Sequence, residues 1–128
     1  MSPTILVVDD HPPTCTLIAR ALQPQGYEVT TVGDGHEALI MAACRVPDLV
    51  IADVLLPGLN GLRVVDSLRQ RDSRLPVIAI SAFPDVLKRP EVVPAGLDPG
   101  SIAFLAKPFG LPAMLDLVLQ LLPRQPTT

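Results

Sequence analysis

The 128-residue chain has no tryptophan, and aromatic residues make up only 3% of it. Single-stranded nucleic acids bind to aromatic stacking surfaces, so this scarcity argues against that function. The net charge is -3, and the ten Lys and Arg residues are scattered along the sequence. DNA-binding surfaces need a basic stripe that neutralises a run of phosphates. We therefore expect no direct contact of this chain with nucleic acid.

Cysteine is also scarce, and long apolar runs are missing. Cys15 and Cys44 form no CxxC pair and have no cluster of histidines beside them, which excludes a zinc site and a disulfide framework. The first residues lack the charged and then apolar pattern of a signal peptide. No apolar run approaches the length of roughly 20 residues that a membrane helix needs. These features predict a cytoplasmic protein without membrane insertion.

Aliphatic residues, in contrast, are abundant. Apolar residues make up 48% of the chain and charged residues only 18%. This balance excludes a disordered chain and predicts a well-filled core in one domain of ordinary size. We expect that domain to span residues 1–123, with a short polar tail at 124–128.

Short apolar runs alternate with amphipathic stretches along the whole sequence. The runs predict five β-strands, at residues 5–8, 28–32, 49–52, 77–80 and 102–106. The stretches predict helices at 12–22, 36–44, 62–72 and 111–122. Parallel strands need helical crossovers, so this alternation indicates an α/β fold. We expect a doubly wound, five-stranded parallel sheet of the flavodoxin-like order 2-1-3-4-5.

Polar side chains follow four of the predicted strands where each strand ends: Asp9, Asp10, Asp53, Ser81 and Lys107. The carboxyl ends of parallel strands share one edge of a sheet, so these residues are expected to meet there. Crowded carboxylates repel unless a hard divalent cation lies among them, which favours magnesium, with manganese as the alternative. The lysine balances further negative charge, and the hydroxyl can donate to an anionic oxygen. Together they are the parts that phosphoryl transfer requires.

Four motifs in this order resemble the receiver domain of two-component response regulators, the CheY-like family. They are VVDDHP at 7–12, DVLLPGLNG at 53–61, SA at 81–82 and FLAKPF at 104–109. The resemblance covers nearly the whole chain. It implies a receiver, here expected to stand alone, that takes part in phosphorelay signalling and is no enzyme beyond its own magnesium-dependent phosphorylation and dephosphorylation.

The resemblance also implies roles for individual residues. Asp53 would be the phosphoacceptor, and magnesium would be held by Asp10, Asp53 and the backbone carbonyl of Leu55, with Asp9 assisting. The phosphoryl donor would be a sensor histidine kinase or a histidine phosphotransfer protein. The phosphorylated form would control a downstream protein target.

Three residues would carry the conformational switch. The resemblance implies that Ser81 and Lys107 each bind a phosphoryl oxygen, that the Lys107–Pro108 peptide is cis, and that Phe104 then rotates into the space that is vacated. Leu55 and Phe83 lie two residues beyond Asp53 and Ser81. We hypothesise that these apolar side chains exclude water and prolong the phosphorylated state, which its measured decay time would test.

The sequence departs from the family between the fourth and fifth strands. A regular helix cannot run through the prolines there, so we expect that helix to be irregular or broken by Pro84, Pro90, Pro94 and Pro99. This departure keeps a second interpretation open, a degenerate receiver that binds partners without being phosphorylated.

Two further functions fit the sequence less well. An aspartyl phosphatase of the haloacid dehalogenase type needs an Asp-x-Asp spacing, whereas here Asp9 and Asp10 are adjacent. A flavin or nucleotide carrier needs a glycine- or hydroxyl-rich phosphate loop after the first strand, where this chain has His11 followed by two prolines. His11 itself is interpreted as a loop residue at the rim of the site.

The closing helix has apolar residues around most of its surface. Its sheet-facing side is predicted to be Leu115, Val118, Leu119 and Leu122. Four further apolar residues would then lie elsewhere on the helix: Leu111, Met114, Leu117 and Leu121. They indicate either deeper burial than average or a surface for a homodimer or another partner, and the sequence does not decide between these.

Overall fold

The computed structural model describes residues 2–122, and the predicted tail and its boundary lie outside them. The strands are β1 Thr4–Val8, β2 Glu28–Val32, β3 Leu49–Asp53, β4 Val77–Ser81 and β5 Ala103–Ala106. The α-helices are α1 Pro12–Leu22, α2 Gly35–Cys44, α3 Gly61–Arg71 and α4 Leu111–Leu121. Each predicted strand and helix is present, with bounds within two residues of the prediction.

All strand pairs are parallel, and the sheet order is β2-β1-β3-β4-β5. The predicted fold class is therefore confirmed. Every residue of β3 and β4 is buried, as expected for strands that helices cover on both faces. The continuous apolar runs in the sequence arise from this burial.

Two apolar clusters fill the space between the sheet and its helices. One lies under α2 and α3, and the other lies under α1 and α4. Cys15 lies on α1 and is buried, while Cys44 ends α2 and is exposed. The two cysteines therefore lie on opposite faces of the sheet, too far apart to form a disulfide.

The connection between β4 and β5, residues 82–102, is called the proline-rich segment below. Its only helical turns are two 3₁₀ turns, Val86–Lys88 and Pro99–Ser101, so the prediction that no regular helix forms here is confirmed. Val86, Leu97 and Ile102 are buried in the cluster under α2 and α3. These three side chains anchor the segment although it has no regular helix.

The predicted sheet-facing side of α4 is wrong in two positions, Leu119 and Met114. Val118 is fully buried as expected, but Leu119 is 42% exposed and Met114 is fully buried. Met114 and Val118 are one helical turn apart and share a stripe, whereas Leu119 is rotated about 100° away from Val118. None of the helices between residues 2 and 122 is long and apolar enough to cross a membrane.

Candidate functional site

The carboxyl edge of the sheet gathers the acidic residues that follow β1 and end β3. Asp9 is fully buried, Asp10 is exposed and Asp53 is 7% exposed. One carboxylate oxygen from each of these three residues lies within 4.8 Å of the others. The predicted acidic cluster is therefore formed, at the point where the parallel strands end.

Lys107, which follows β5, joins this cluster. Its Nζ atom lies 2.8 Å from Asp9 Oδ2 and 2.9 Å from Asp53 Oδ2. Its backbone N–H donates to the carbonyl of Ser81 at 2.8 Å, which fixes the start of the loop after β5 beside the end of β4. Three carboxylates and one ammonium leave two negative charges unbalanced. A divalent cation would neutralise them.

The chemistry of Asp9 supports a metal site. Its Oδ1 atom accepts a hydrogen bond from the backbone N–H of His11 at 2.8 Å. Its Oδ2 atom is buried, and its polar partner among the described residues is the Lys107 ammonium at 2.8 Å, in an ion pair without hydrogen-bond alignment. A carboxylate oxygen has more than one lone pair, so it can still bind a cation. An all-oxygen donor set of this kind suits a hard cation such as magnesium or manganese.

Burial and charge act in opposite directions on the site residues. Burial raises the pKa of Asp53 above its ordinary value, against the lowering effects of Lys107 and the backbone N–H of Leu55. Burial alone would lower the pKa of Lys107, but Asp9 and Asp53 outweigh it and the pKa is raised. At neutral pH the lysine is therefore charged, and the aspartate pays a desolvation cost that a cation would reduce.

The loop between β3 and α3 presses against the main chain of Asp53. Gly61 donates its backbone N–H to the carbonyl of Val54 at 2.9 Å. A Cβ atom on Gly61 would lie 2.0 Å from the carbonyl oxygen of Asp53. Asn60 caps α3 by accepting from the backbone N–H of Leu62 at 2.8 Å. Asn60 and Gly61 belong to the motif at 53–61, but no individual role was predicted for them, although a glycine that opens an amphipathic helix indicates close approach of the backbone.

Ser81 ends β4 and Phe104 lies in β5, as predicted, and the hydrogen bonds to the Asp53 carboxylate among the described residues come from Leu55 and Lys107. Ser81 is buried, and its Oγ atom accepts from the backbone N–H of Phe83 at 3.1 Å. Phe104 is half-buried and packs against the cluster under α2 and α3. The Lys107–Pro108 peptide is cis, as the family resemblance implied. The switch roles of Ser81 and Phe104 and the metal-binding role of the Leu55 carbonyl stay predictions.

Two open clefts flank the cluster. One, of about 440 Å³, is lined by Asp10 and residues 54–60, and the other, of about 390 Å³, includes Lys107 and Pro108. Leu55 and Phe83 are 43% and 48% exposed. Their proposed exclusion of water stays a prediction. The ring of His11 hydrogen-bonds Thr14 Oγ1 at 2.8 Å, in agreement with its interpretation as a rim residue.

Cys15 lies directly beneath the site, with its thiol donating to the carbonyl of Asp9 at 3.3 Å. Burial and the nearby Asp9 charge raise the pKa of this thiol, so little thiolate forms at neutral pH. We expect iodoacetamide to modify the exposed Cys44 at least about tenfold faster than Cys15. Peptide mass spectrometry over a time course measures both rates, and Cys44→Ala leaves only the slow site. Equal rates would contradict the burial of Cys15.

Sequence comparisons agree with this geometry. The family described as response regulator receiver domain matches residues 5–119. The transcriptional regulatory protein PrrA of Mycobacterium tuberculosis is 39% identical over 127 residues, which cover 99% of this chain and 53% of PrrA. The response regulator MprA of Mycobacterium bovis is 40% identical, with 97% of this chain and 52% of MprA covered. The chain thus spans about half the length of these relatives.

Solved structures show the same likeness. The chemotaxis response regulator CheY4 of Vibrio cholerae superimposes with a TM-score of 0.82 at 29% identity, covering 95% of this chain and all of CheY4. A putative response regulator from Chloroflexus aurantiacus gives a TM-score of 0.80 at 32% identity, covering 97% of this chain and 100% of that one. With its acidic cluster, its paired lysine and its sheet order, the chain belongs to the response regulator receiver domain family.

Proposed function

We propose that Asp53 accepts a phosphoryl group from a phosphohistidine on a sensor histidine kinase or phosphotransfer protein in the cytoplasm. The observation that carries this proposal is the position of its carboxylate, which lies in the acidic cluster with Lys107 Nζ 2.9 Å from Oδ2. The transfer breaks the phosphorus–nitrogen bond of the donor and forms a phosphorus–oxygen bond to Asp53. The chain would then control a downstream protein target.

Magnesium would be held by Asp9, Asp10, Asp53 and the backbone carbonyl of Leu55. Its positive charge would neutralise the negative charge of the phosphoryl oxygens. The chain's own residues position the nucleophile. Asp53 Oδ1 accepts from the backbone N–H of Leu55 at 3.0 Å, and Lys107 holds Oδ2. Lys107 and Ser81 would bind phosphoryl oxygens once the acyl phosphate has formed. Such a site turns over no separate substrate, so the chain is not a conventional enzyme.

The cleft beside Lys107 suits the phosphoryl donor. Leu17, Pro108 and Phe109 give it apolar walls next to the nucleophile, and Leu17 is 49% exposed. An amphipathic helix that carries the phosphohistidine could lay its apolar side there and direct the imidazole towards Asp53. We place the donor's contact surface on this side of the site.

The test is phosphorylation of the purified chain by acetyl phosphate in the presence of magnesium, followed by intact-mass and peptide mass spectrometry. We expect one phosphoryl group on the wild type, none on Asp53→Asn, and none when the metal is chelated. Asp116→Asn removes an exposed carboxylate on α4 and serves as the matched control, which should be phosphorylated like the wild type.

Each alternative gives a different result in this experiment. A phosphorylation-independent receiver would carry no Asp53-dependent phosphoryl group, and that outcome would defeat the proposal. An aspartyl phosphatase would continuously hydrolyse a phosphate ester such as p-nitrophenyl phosphate. We expect no such turnover, because the adjacent Asp9 and Asp10 do not provide the spacing that this class of phosphatase needs.

A further inference from the structure

The side chain of Asn60 makes two hydrogen bonds in different directions. Its Oδ1 atom accepts from the backbone N–H of Leu62 at 2.8 Å and so begins α3. Its Nδ2 atom donates to the carbonyl of Val92 at 2.5 Å, 32 residues further along the chain. Within residues 2–122, this is the single hydrogen bond between the loop at 54–60 and the proline-rich segment.

On one side, Asn60 is closely connected to the phosphoacceptor. The next residue, Gly61, leaves no space for a Cβ atom against the carbonyl of Asp53 and donates to the carbonyl of Val54. Earlier in the same loop, the backbone N–H of Leu55 binds the Asp53 carboxylate at 3.0 Å. A rearrangement of the Asp53 carboxylate therefore acts on the start of the loop through Leu55, and the end of the loop, at Gly61, is packed against the main chain of Asp53.

On the other side, Val92 lies in the middle of the proline-rich segment. Its backbone N–H and that of Val93 both donate to the carbonyl of Arg89, at 3.0 and 3.1 Å. The buried side chains of Val86 and Leu97 hold the segment on either side of this turn. Between these anchors, the bond from Asn60 is the polar contact that fixes the turn to the rest of the domain.

We infer that Asn60 is a positioning residue that couples the loop beside Asp53 to the proline-rich segment, an inference that rests on the proposed function. A ligand at Asp53 restricts the loop, and a turn that is tied to a restricted loop opens less often. No α-helix lies between β4 and β5 in this chain. The hydrogen bond to Val92 therefore connects the site directly to the irregular, proline-rich segment. The coupled surface is the turn at residues 89–93.

Two substitutions separate this link from the helix cap. Asn60→Asp keeps an oxygen that can accept from Leu62 but has no N–H for the Val92 carbonyl. Asn60→Ser is neutral, caps helices well and is too short to reach Val92. The control is Asp98→Ala, which removes the acceptor of the Gly100 backbone N–H at the far end of the segment and leaves the link intact.

Hydrogen exchange read by mass spectrometry tests the coupling, with and without magnesium and beryllofluoride, a mimic of the aspartyl phosphate. In the wild type and in Asp98→Ala, we expect binding of the mimic to slow hydrogen exchange in peptides that cover residues 89–97 by a factor of about five or more. In both Asn60 variants, the slowing should fall below about twofold, while acetyl phosphate still phosphorylates Asp53 fully.

The outcomes are distinguishable. Equal slowing in the wild type and the Asn60 variants would overturn the coupling, and so would no slowing in a wild type that is phosphorylated on Asp53. A wild type that takes no phosphoryl group would overturn the proposed function and the coupling with it. A purely structural role for Asn60 would raise exchange equally with and without the mimic, which would also overturn the inference.

Discussion

Gly61→Ala is expected to lower the free energy of unfolding by about 3 kcal/mol or more, at the upper end of what overpacking costs. The added Cβ atom would lie 2.0 Å from the carbonyl oxygen of Asp53 and 3.0 Å from its carbonyl carbon. Both are buried main-chain atoms of β3, so no flexible side chain can move aside. Either the loop or the end of the strand must shift, and the shift breaks the 2.9 Å hydrogen bond from Gly61 to Val54.

Urea denaturation followed by circular dichroism measures this loss. Gly33→Ala is the matched control, because a Cβ atom there meets only a side-chain oxygen of Glu37 at 3.9 Å and its backbone needs no left-handed conformation. The control should stay within about 1 kcal/mol of the wild type. If Gly61→Ala also stays within that range, the close contact with Asp53 is wrong.

Much of this site could be predicted from the sequence, because the ends of buried parallel strands share an edge. Asp9, Asp53 and Ser81 each follow or end a run of apolar residues, so their convergence follows from the sheet order alone. Lys107 was placed at the site in the same way. That its ammonium contacts Asp9 and Asp53 together was not predictable, since it depends on side-chain geometry that no spacing encodes.

Other features depend on contacts between distant residues. The four prolines between β4 and β5 predict the lack of a helix, but they do not indicate that Val86 and Leu97 fill the core or that Asn60 binds Val92. The prediction of which side of α4 faces the sheet was wrong at Met114 and Leu119, because a helix with apolar residues all around gives no clear periodicity. Local sequence patterns determine where the helices and strands form, whereas packing between distant residues determines these details.

Lys107→Met is expected to lower the free energy of unfolding by about 2 kcal/mol at neutral pH in metal-free buffer. The loss is smaller than for breaking a fully buried ion pair, because the site is partly open to solvent. Methionine keeps the apolar stem but leaves the buried Asp9 and Asp53 carboxylates without their ammonium. A divalent cation at the acidic cluster replaces that charge. Millimolar magnesium should therefore stabilise the variant more than the wild type.

The loss of stability in Lys107→Met should also depend on pH, and it should grow as the pH rises. Lys107 lowers the pKa of Asp53, so its removal raises that pKa further above the unfolded value of about 4. A carboxyl whose pKa is raised on folding loses stability as the pH increases through that interval. The difference in stability from the wild type should be small below about pH 4, where Asp53 is protonated, and largest near neutral pH. It persists there because the pKa of Lys107 is itself raised and the wild-type lysine stays charged.

Denaturation midpoints between pH 4 and pH 8, with and without magnesium, measure both effects. Lys88→Met removes an exposed ammonium from the proline-rich segment and is the matched control, expected to differ from the wild type by no more than about 0.5 kcal/mol at any pH. A loss in Lys107→Met that is constant with pH and insensitive to magnesium would mean that the lysine contributes packing and not charge. The cluster would then hold its carboxylates by another means, and its affinity for a divalent cation would lose its electrostatic basis.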